Sequence, residues 1–289
     1  ALAFYFAGMD AFDAICHSFS TIAIGGFSTH DASIGYFQSP LINVICAFFL
    51  LIAAVNFSLH FAAFTRRGIN VKVYLKDAEF KVLIAVQVVL TAICFATLYQ
   101  SGIYDSPEKT LDYAFFQVVS ISTTAGFGTE SFHSWPLFLP ILLIFSSFIG
   151  GCAGSTGGGM KVIRLILLVL QGSRELKRLV HPKAMYSIRI GSTALPDRII
   201  DAVWGFFSAY ALVFVVCMVI LMAMDMDAIT AFSATAASLN NLGPGLGDVA
   251  SNYASISDGA KWVLVMAMLF GRLEVFTLLV LFTPTFWKN

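Results

Sequence analysis

The sequence predicts an all-α integral membrane protein, built from a repeated unit of spanning helix, short helix, glycine loop and spanning helix. Three observations predict it. Of 289 residues, 58% are apolar and 12% charged, with 28 Phe and a mean hydropathy of +0.83. Apolar stretches of membrane-spanning length alternate with shorter ones, and a glycine-bearing segment follows each short one. Soluble domains carry about 25% charged residues, and one core of this size cannot hide so much apolar surface. Disorder needs low hydrophobicity and high net charge. Here Lys+Arg and Asp+Glu total 17 each, so there is also no basic excess to suggest a nucleic-acid partner.

A spanning helix needs about 20 mostly apolar residues. Residues 41–64, 80–99, 198–221 and 261–286 meet that length, and a longer stretch, 136–171, is interrupted at 150–159. Between them lie the short apolar segments 10–22, 110–124 and 227–239. At about 20 Å as helix these are too short to cross and read as re-entrant or core segments. If the short segments open outward, 14 of the 17 basic residues fall inside, among them Arg66, Arg67, Lys161, Arg164 and Lys288, and only Lys109 and Lys261 fall outside. The positive-inside rule then fixes the orientation. Eleven of the 17 acids lie outside; an acidic mouth concentrates cations, though acids are also simply tolerated on an outer face. Cys16, Cys46, Cys94, Cys152 and Cys217 are scattered in apolar runs and are expected to be buried free thiols in helices.

The short segments end alike. Aligning Gly26 with Gly126, at a spacing of 100, also matches Ser20, Phe27 and Thr29 with their counterparts. Gly243 lies 117 residues after Gly126, which places Ala231-Phe232 on Ala114-Phe115. Such periods mean a repeated structural unit. A non-helical loop at membrane depth must find partners for its backbone other than lipid. A ring of carbonyl oxygens facing a dehydrated cation supplies one reason for it, and glycine permits the backbone angles required. Thr124-Ala125-Gly126-Phe127-Gly128 differs from the potassium-channel filter Thr-Val-Gly-Tyr-Gly by two conservative changes.

On these residues the chain resembles the Trk/Ktr/HKT superfamily of potassium transporters, specifically the bacterial TrkH type. The carriers are residues 23–29, 123–129 and 240–245, the run 150–161, and Arg272. The resemblance implies four units around a pseudo-fourfold pore. Three loops are visible, and a preceding portion of about one and a half repeats is expected. Residues 1–66 then form a second repeat without its outer helix (pore helix 10–22, filter 23–29, inner helix 41–64). Residues 67–190 form a third (outer helix 80–99, pore helix 110–122, filter 123–129, inner helix 136–171 broken at 150–159). Residues 191–289 form a fourth (outer helix 198–221, pore helix 227–239, filter 240–246, inner helix 261–286). The resemblance places the K⁺-coordinating backbone at Ala23, Ile24, Gly25 and Gly26, at Thr123, Thr124, Ala125 and Gly126, and at Asn240, Asn241, Leu242 and Gly243. The Thr124 hydroxyl is a further candidate ligand.

The break in 136–171 holds Gly150, Gly151, Gly154, Gly157, Gly158 and Gly159. A helix does not readily continue through that composition, and such a break must border protein or water. A gate beneath the filter is one reading and a hinge or packing kink the other; no Gly-Lys-Ser/Thr follows, which excludes a phosphate-binding loop. Arg272 lies eleven residues into the last stretch, where a charge normally faces an interior or a water path. It is expected below the filter, repelling cations and contacting the glycine loop; a structural charge satisfied by carbonyls is the alternative. Glu274 is read as supporting a neighbour. Asn56 and His60 are read as structural. The basic stretch 172–197 suits anionic lipid. The resemblance further implies a homodimer, a cytoplasmic nucleotide-binding regulatory subunit, K⁺ as the transported ion with no organic cofactor in this chain, and the bacterial inner membrane. An enzyme is disfavoured: no His-Glu-x-x-His and no Gly-x-Ser-x-Gly occurs. A less selective K⁺/Na⁺ transporter remains an alternative, and a scaffold or receptor would not need three such loops.

Overall fold

The computed structural model describes residues 1–65, 68–136, 138–191, 193–273, 276, 280–281 and 283–287. Of the charges considered above, Arg66, Arg67, Glu274 and Lys288 lie outside the described residues. A short α1 (Leu2–Phe6) leads into α2 (Ala11–Ile22), then α3 (Pro40–Ala54) and α4 (Phe57–Ala63). After α5 (Lys72–Lys76) come the long α6 (Ala78–Ser101), α7 (Pro107–Ser122), α8 (Phe138–Ser147) and α9 (Val162–Val180). The last unit has α10 (Asp197–Ala223), α11 (Ala228–Leu239) and α12 (Asp258–Arg272), followed by a short helix, Pro284–Trp287. The described strands are two small antiparallel hairpins, Phe64–Thr65 with Gly68–Ile69 and Arg189–Ile190 with Thr193–Ala194.

The three short helices start where their sequences provide a cap. Asp10 accepts from the Asp13 N–H at 2.6 Å, and Asp227 accepts from Ile229 and Thr230, both at 3.0 Å. Ser106 caps α7 through the Lys109 N–H with Pro107 in the first turn, so this helix starts three residues before the expected 110.

Burial is inverted relative to a soluble protein. Alpha-11, rich in Ala, Ser and Thr, is buried from Thr230 to Leu239 apart from the partly covered Phe232, and α7 is buried continuously from Phe116 to Ser122. The long apolar α6 and α10 bury only 28% and 22% of their most apolar windows, as expected where lipid covers the remainder. The short helices α7 and α11 therefore lie in the protein's core, with α7 contributing to the packing of both large clusters, while α2 leaves Phe12 and Phe19 exposed.

Three expected boundaries change. Alpha-6 and α10 are long and apolar enough to cross a membrane on their own, but 41–64 is not one helix. Alpha-3 and α4 meet at 94°, because Val55 turns to extended backbone and Asn56 caps α4 through the Ser58 N–H. The interruption of 136–171 runs from 148 to 161, wider than 150–159. Alpha-12 ends at Arg272 with Leu273 as its C-cap, so Arg272 sits at a helix terminus. The five cysteines are free, but Cys152 lies in the glycine loop and not in a helix, and Cys16 is only partly buried.

Candidate functional site: three glycine loops and the loop beneath them

The three glycine loops share one backbone. Each short helix ends on a right-handed residue: Ala23 (φ −74, ψ −8), Thr123 (φ −80, ψ −7) and Asn240 (φ −82, ψ −8). The next residue is left-handed: Ile24 (φ 51), Thr124 (φ 70) and Asn241 (φ 57). Gly25, Ala125 and Leu242 intervene, and then Gly26 (φ 70), Gly126 (φ 80) and Gly243 (φ 101) are left-handed again. The hydrogen bonds repeat too. In the first loop, the N–H groups of residues 23, 24 and 25 donate to the carbonyls of Phe19, Thr21 and Ser20. Thr123, Thr124 and Ala125 reach Val119, Ile121 and Ser120, and Asn240, Asn241 and Leu242 reach Ala236, Ser238 and Ala237. A non-glycine residue held left-handed costs of order 1–3 kcal/mol and persists only where its surroundings impose it. The same strain at three equivalent positions marks a backbone shaped for a task. Two left-handed residues flanking one intervening residue turn the chain sharply at the same place in each loop, the kind of backbone from which carbonyl oxygens can be aimed at a dehydrated cation.

The loops are neighbours. A Cβ on Gly126 would stand 2.0 Å from the Leu242 carbonyl oxygen, and one on Gly26 would stand 1.9 Å from that of Ala125. The first unit also grips the second loop through Gly35 N–H to Gly128 O at 3.0 Å and Gly128 N–H to Ser33 Oγ at 3.2 Å. All three border one outer cavity of about 1260 Å³ that includes Gly26, Gly126 and Gly243. Asp31, Glu108, Asp112 and Glu130 line it together with Lys109, so carboxylates outnumber ammonium groups at this mouth. The short helices present their C-terminal, partially negative ends to the loops, which favours a cation there.

The first loop is braced on the outer side by buried polar groups. His17 Nδ1 donates to the Asp13 carbonyl at 2.8 Å, and its Nε2 meets Ser28 Oγ at 2.9 Å. The Asp13 carboxylate accepts from Thr29 Oγ1 at 2.5 Å and pairs with His30 Nε2 at 2.8 Å. The Thr29 hydroxyl, aided by His30, holds the Asp13 carboxyl below the usual carboxylate range.

The glycine loop, residues 148–161, lies against the inner ends of all three loops. Thr156 Oγ1 donates to Ile22 O at 2.9 Å, Gly158 N–H to Thr124 Oγ1 at 2.6 Å, and Gly159 N–H to Asn240 O at 3.3 Å. The Thr124 hydroxyl oxygen therefore receives the loop's N–H, where the sequence suggested an ion ligand. Close approach explains Gly158: a Cβ there would be 2.1 Å from Asn240 O. Arg272 is exposed, and its Nη1 donates to Thr156 O at 3.4 Å. It borders, with Gly157, Gly158 and Gly159, a second cavity of about 200 Å³. Gly150 and Gly151 shape the loop's entry, where Gly151 O accepts from Val162 N–H at 3.1 Å, and Gly154 O accepts from Phe57 N–H at 3.2 Å.

Several residues here escaped sequence reading. Glu79 Oε2 accepts from Ala153 N–H at 2.9 Å, tying the loop to α6. Lys161, counted among the inner charges, turns its Nζ back onto Gly157 O and Ser155 O from a left-handed backbone (φ 77). Asn240 Nδ2 donates to Ser147 Oγ at 2.7 Å while Tyr210 OH donates to Asn240 Oδ1. His60 bridges Ile52 O and Tyr74 OH, both at 2.8 Å, a structural role like that of Asn56. The acid opening α6 was the signal available for Glu79; the partners of Asn240 are 93 and 30 residues away and left no local trace.

Re-entrant helices, strained glycine loops and partly lipid-facing long helices define a membrane-embedded, pore-type helical protein. The chain belongs to the TrkH family of cation transport proteins, which it matches over residues 3–289. It is 66% identical over 289 residues to the Trk system potassium uptake protein TrkH of Vibrio parahaemolyticus, covering 100% of this chain and 60% of that protein. It is 64% identical to the Escherichia coli K12 protein of the same description, covering 100% of this chain and 59% of that one. The crystal structure of the potassium transporter TrkH from Vibrio parahaemolyticus superposes with a TM-score of 0.95 at 66% identity, over 99% of this chain and 61% of that chain. The chain thus spans about 60% of the length of these relatives.

Proposed function

We propose that this chain carries most of a potassium uptake pore of a bacterial inner membrane, with a carbonyl-lined filter at residues 23–26, 123–126 and 240–243. The observation that carries the reading is the repeated left-handed, intervening, left-handed backbone at the C-terminal ends of three short helices around one acidic outer cavity. K⁺ sheds water at such carbonyls, and the helix ends favour the dehydrated cation. The glycine loop acts as the gate, supported by its hydrogen bonds to the inner end of every loop, with Arg272 holding it at Thr156. The repeat boundaries 1–66, 67–190 and 191–289 follow from the same reading. The relatives named above are described as Trk system potassium uptake proteins. We extend to this chain a homodimeric assembly and a nucleotide-binding regulatory subunit docking on the inner side, where 172–197 is basic and also suits anionic lipid.

Gly126→Ser tests the filter. The added side chain meets the Leu242 carbonyl oxygen at 2.0 Å and strains a left-handed position. In liposomes holding the full-length protein, the K⁺/Na⁺ flux ratio should fall. An unchanged ratio in folded protein would show that this loop is not the filter.

A further inference from the structure

The three loops begin on unlike residues. Ala23 has no polar side chain, and Thr123 Oγ1 turns back to Val119 O at 2.7 Å within its own helix. Asn240 alone among these three reaches out of its unit. It is fully buried, and both ends of its amide are held: Nδ2 by Ser147 Oγ at 2.7 Å and Oδ1 by the Tyr210 hydroxyl. Ser147 is the last residue of α8, directly before the chain enters the glycine loop, and its own hydroxyl donates to Ile144 O at 2.6 Å. Tyr210 projects from the middle of α10, its ring fixed between Phe148 and Phe206 at centroid distances of 6.1 and 5.8 Å. The backbone carbonyl of the same Asn240 accepts the Gly159 N–H from the far end of the glycine loop. Met160 N–H to Phe148 O at 2.9 Å closes that loop at its base. One residue thus joins a loop rung, the helix that feeds the glycine loop, and the end where that loop returns.

We propose that Tyr210 and Ser147 are positioning residues for permeation, clamping Asn240 so that its carbonyl serves the glycine loop in one state and the permeating cation in the other. The inference rests on the filter-and-gate reading above and deepens it. A carboxamide pinned at both ends cannot rotate, so the peptide that carries its carbonyl is held in register with the other loops. While Gly159 donates to that carbonyl, the oxygen is engaged; when the loop withdraws, the oxygen is free to face K⁺. Loop and ion therefore compete for one oxygen, and the clamp sets its position in both states. Removing the Tyr210 hydroxyl leaves a buried amide oxygen without its donor and lets the rung tilt.

The test uses the full-length protein in liposomes, with Tyr210→Phe, Ser147→Ala and Gly126→Ser measured side by side. Tyr210→Phe should raise the K⁺ concentration for half-maximal flux and lower the K⁺/Na⁺ ratio, each by about threefold to tenfold, the range expected for one lost buried hydrogen bond. Maximal flux should change less. Ser147→Ala should move both quantities in the same direction, and it carries the test alone if Tyr210→Phe does not fold. A merely structural role would lower the yield of folded protein and leave half-saturation and selectivity at the parent values. If Gly126→Ser shifts selectivity while the folded clamp variants behave as the parent, the clamp is overturned and the filter stands. If all three leave the flux ratio unchanged, the filter reading falls, and the clamp with it.

Discussion

Two of the breaks in the inner helices, among the described residues, differ in kind. Alpha-3 and α4 turn by 94° at Val55–Asn56, with neither glycine nor proline at the corner. Alpha-8 and α9 are separated by fourteen residues, 148–161, six of them glycine. Each break satisfies the other: Cys152 N–H donates to Ala54 O at 2.8 Å, and Phe57 N–H to Gly154 O at 3.2 Å. Polar backbone exposed at membrane depth has found protein in place of lipid. The reach differs, however. Beyond those shared bonds, the corner is anchored close by in the chain, with His60 bonded to Ile52 and Tyr74. The glycine loop instead extends beneath all three re-entrant loops, bonding to Ile22, Thr124 and Asn240. A break with reach suits a gate, and a break without it suits an anchor.

The largest effect expected from challenging this contrast is at Arg272, which bonds the long break and not the corner. Its guanidinium stays protonated. At about 6 Å and an effective dielectric near 20, repulsion of K⁺ is roughly 3 kcal/mol, which slows crossing by about a hundredfold if wholly expressed in the barrier. Arg272→Ala should raise K⁺ flux up to that factor, and Arg272→Lys should change it less. Parent-like flux from folded Arg272→Ala would remove this side chain from the permeation path.

A smaller effect is expected at the corner. Asn56→Ala removes the cap of α4 and should cost about 1 kcal/mol of stability, read as a lowered unfolding temperature in detergent. Basal K⁺ flux should stay near the parent value. A leaky Asn56→Ala protein would make the corner a second gate and dissolve the distinction between the two breaks.

The same contrast explains what the sequence revealed. A run with six glycines announces its break by composition, whatever it packs against. The corner sits in Ala53-Ala54-Val55-Asn56-Phe57, where only Asn56, a capping residue followed by Ser58, departs from an apolar run. The short helices were legible because bilayer thickness separates them from spans and because Asp10 and Asp227 mark their starts. The equivalence of the loop positions was legible from glycine spacing alone. The bond from Gly158 N–H to the Thr124 hydroxyl was not legible, because nothing local to Thr124 shows that the glycine loop lies directly beneath it. The Tyr210–Asn240–Ser147 clamp was invisible for the same reason: it is made by three separate helical segments, and a single sequence records no such meeting.

The central claim is that the glycine loop, held against the three inner ends of the filter, closes the path. Deletion of residues 153–157 tests it most directly, since it removes the Thr156 contacts to Ile22 and Arg272 together. Basal K⁺ flux through the full-length protein in liposomes should rise by roughly tenfold or more, the scale set by losing two or three hydrogen bonds of about 1 kcal/mol each from the closed state. Unchanged or lower flux from a folded deletion protein would contradict the account and leave the loop as a hinge.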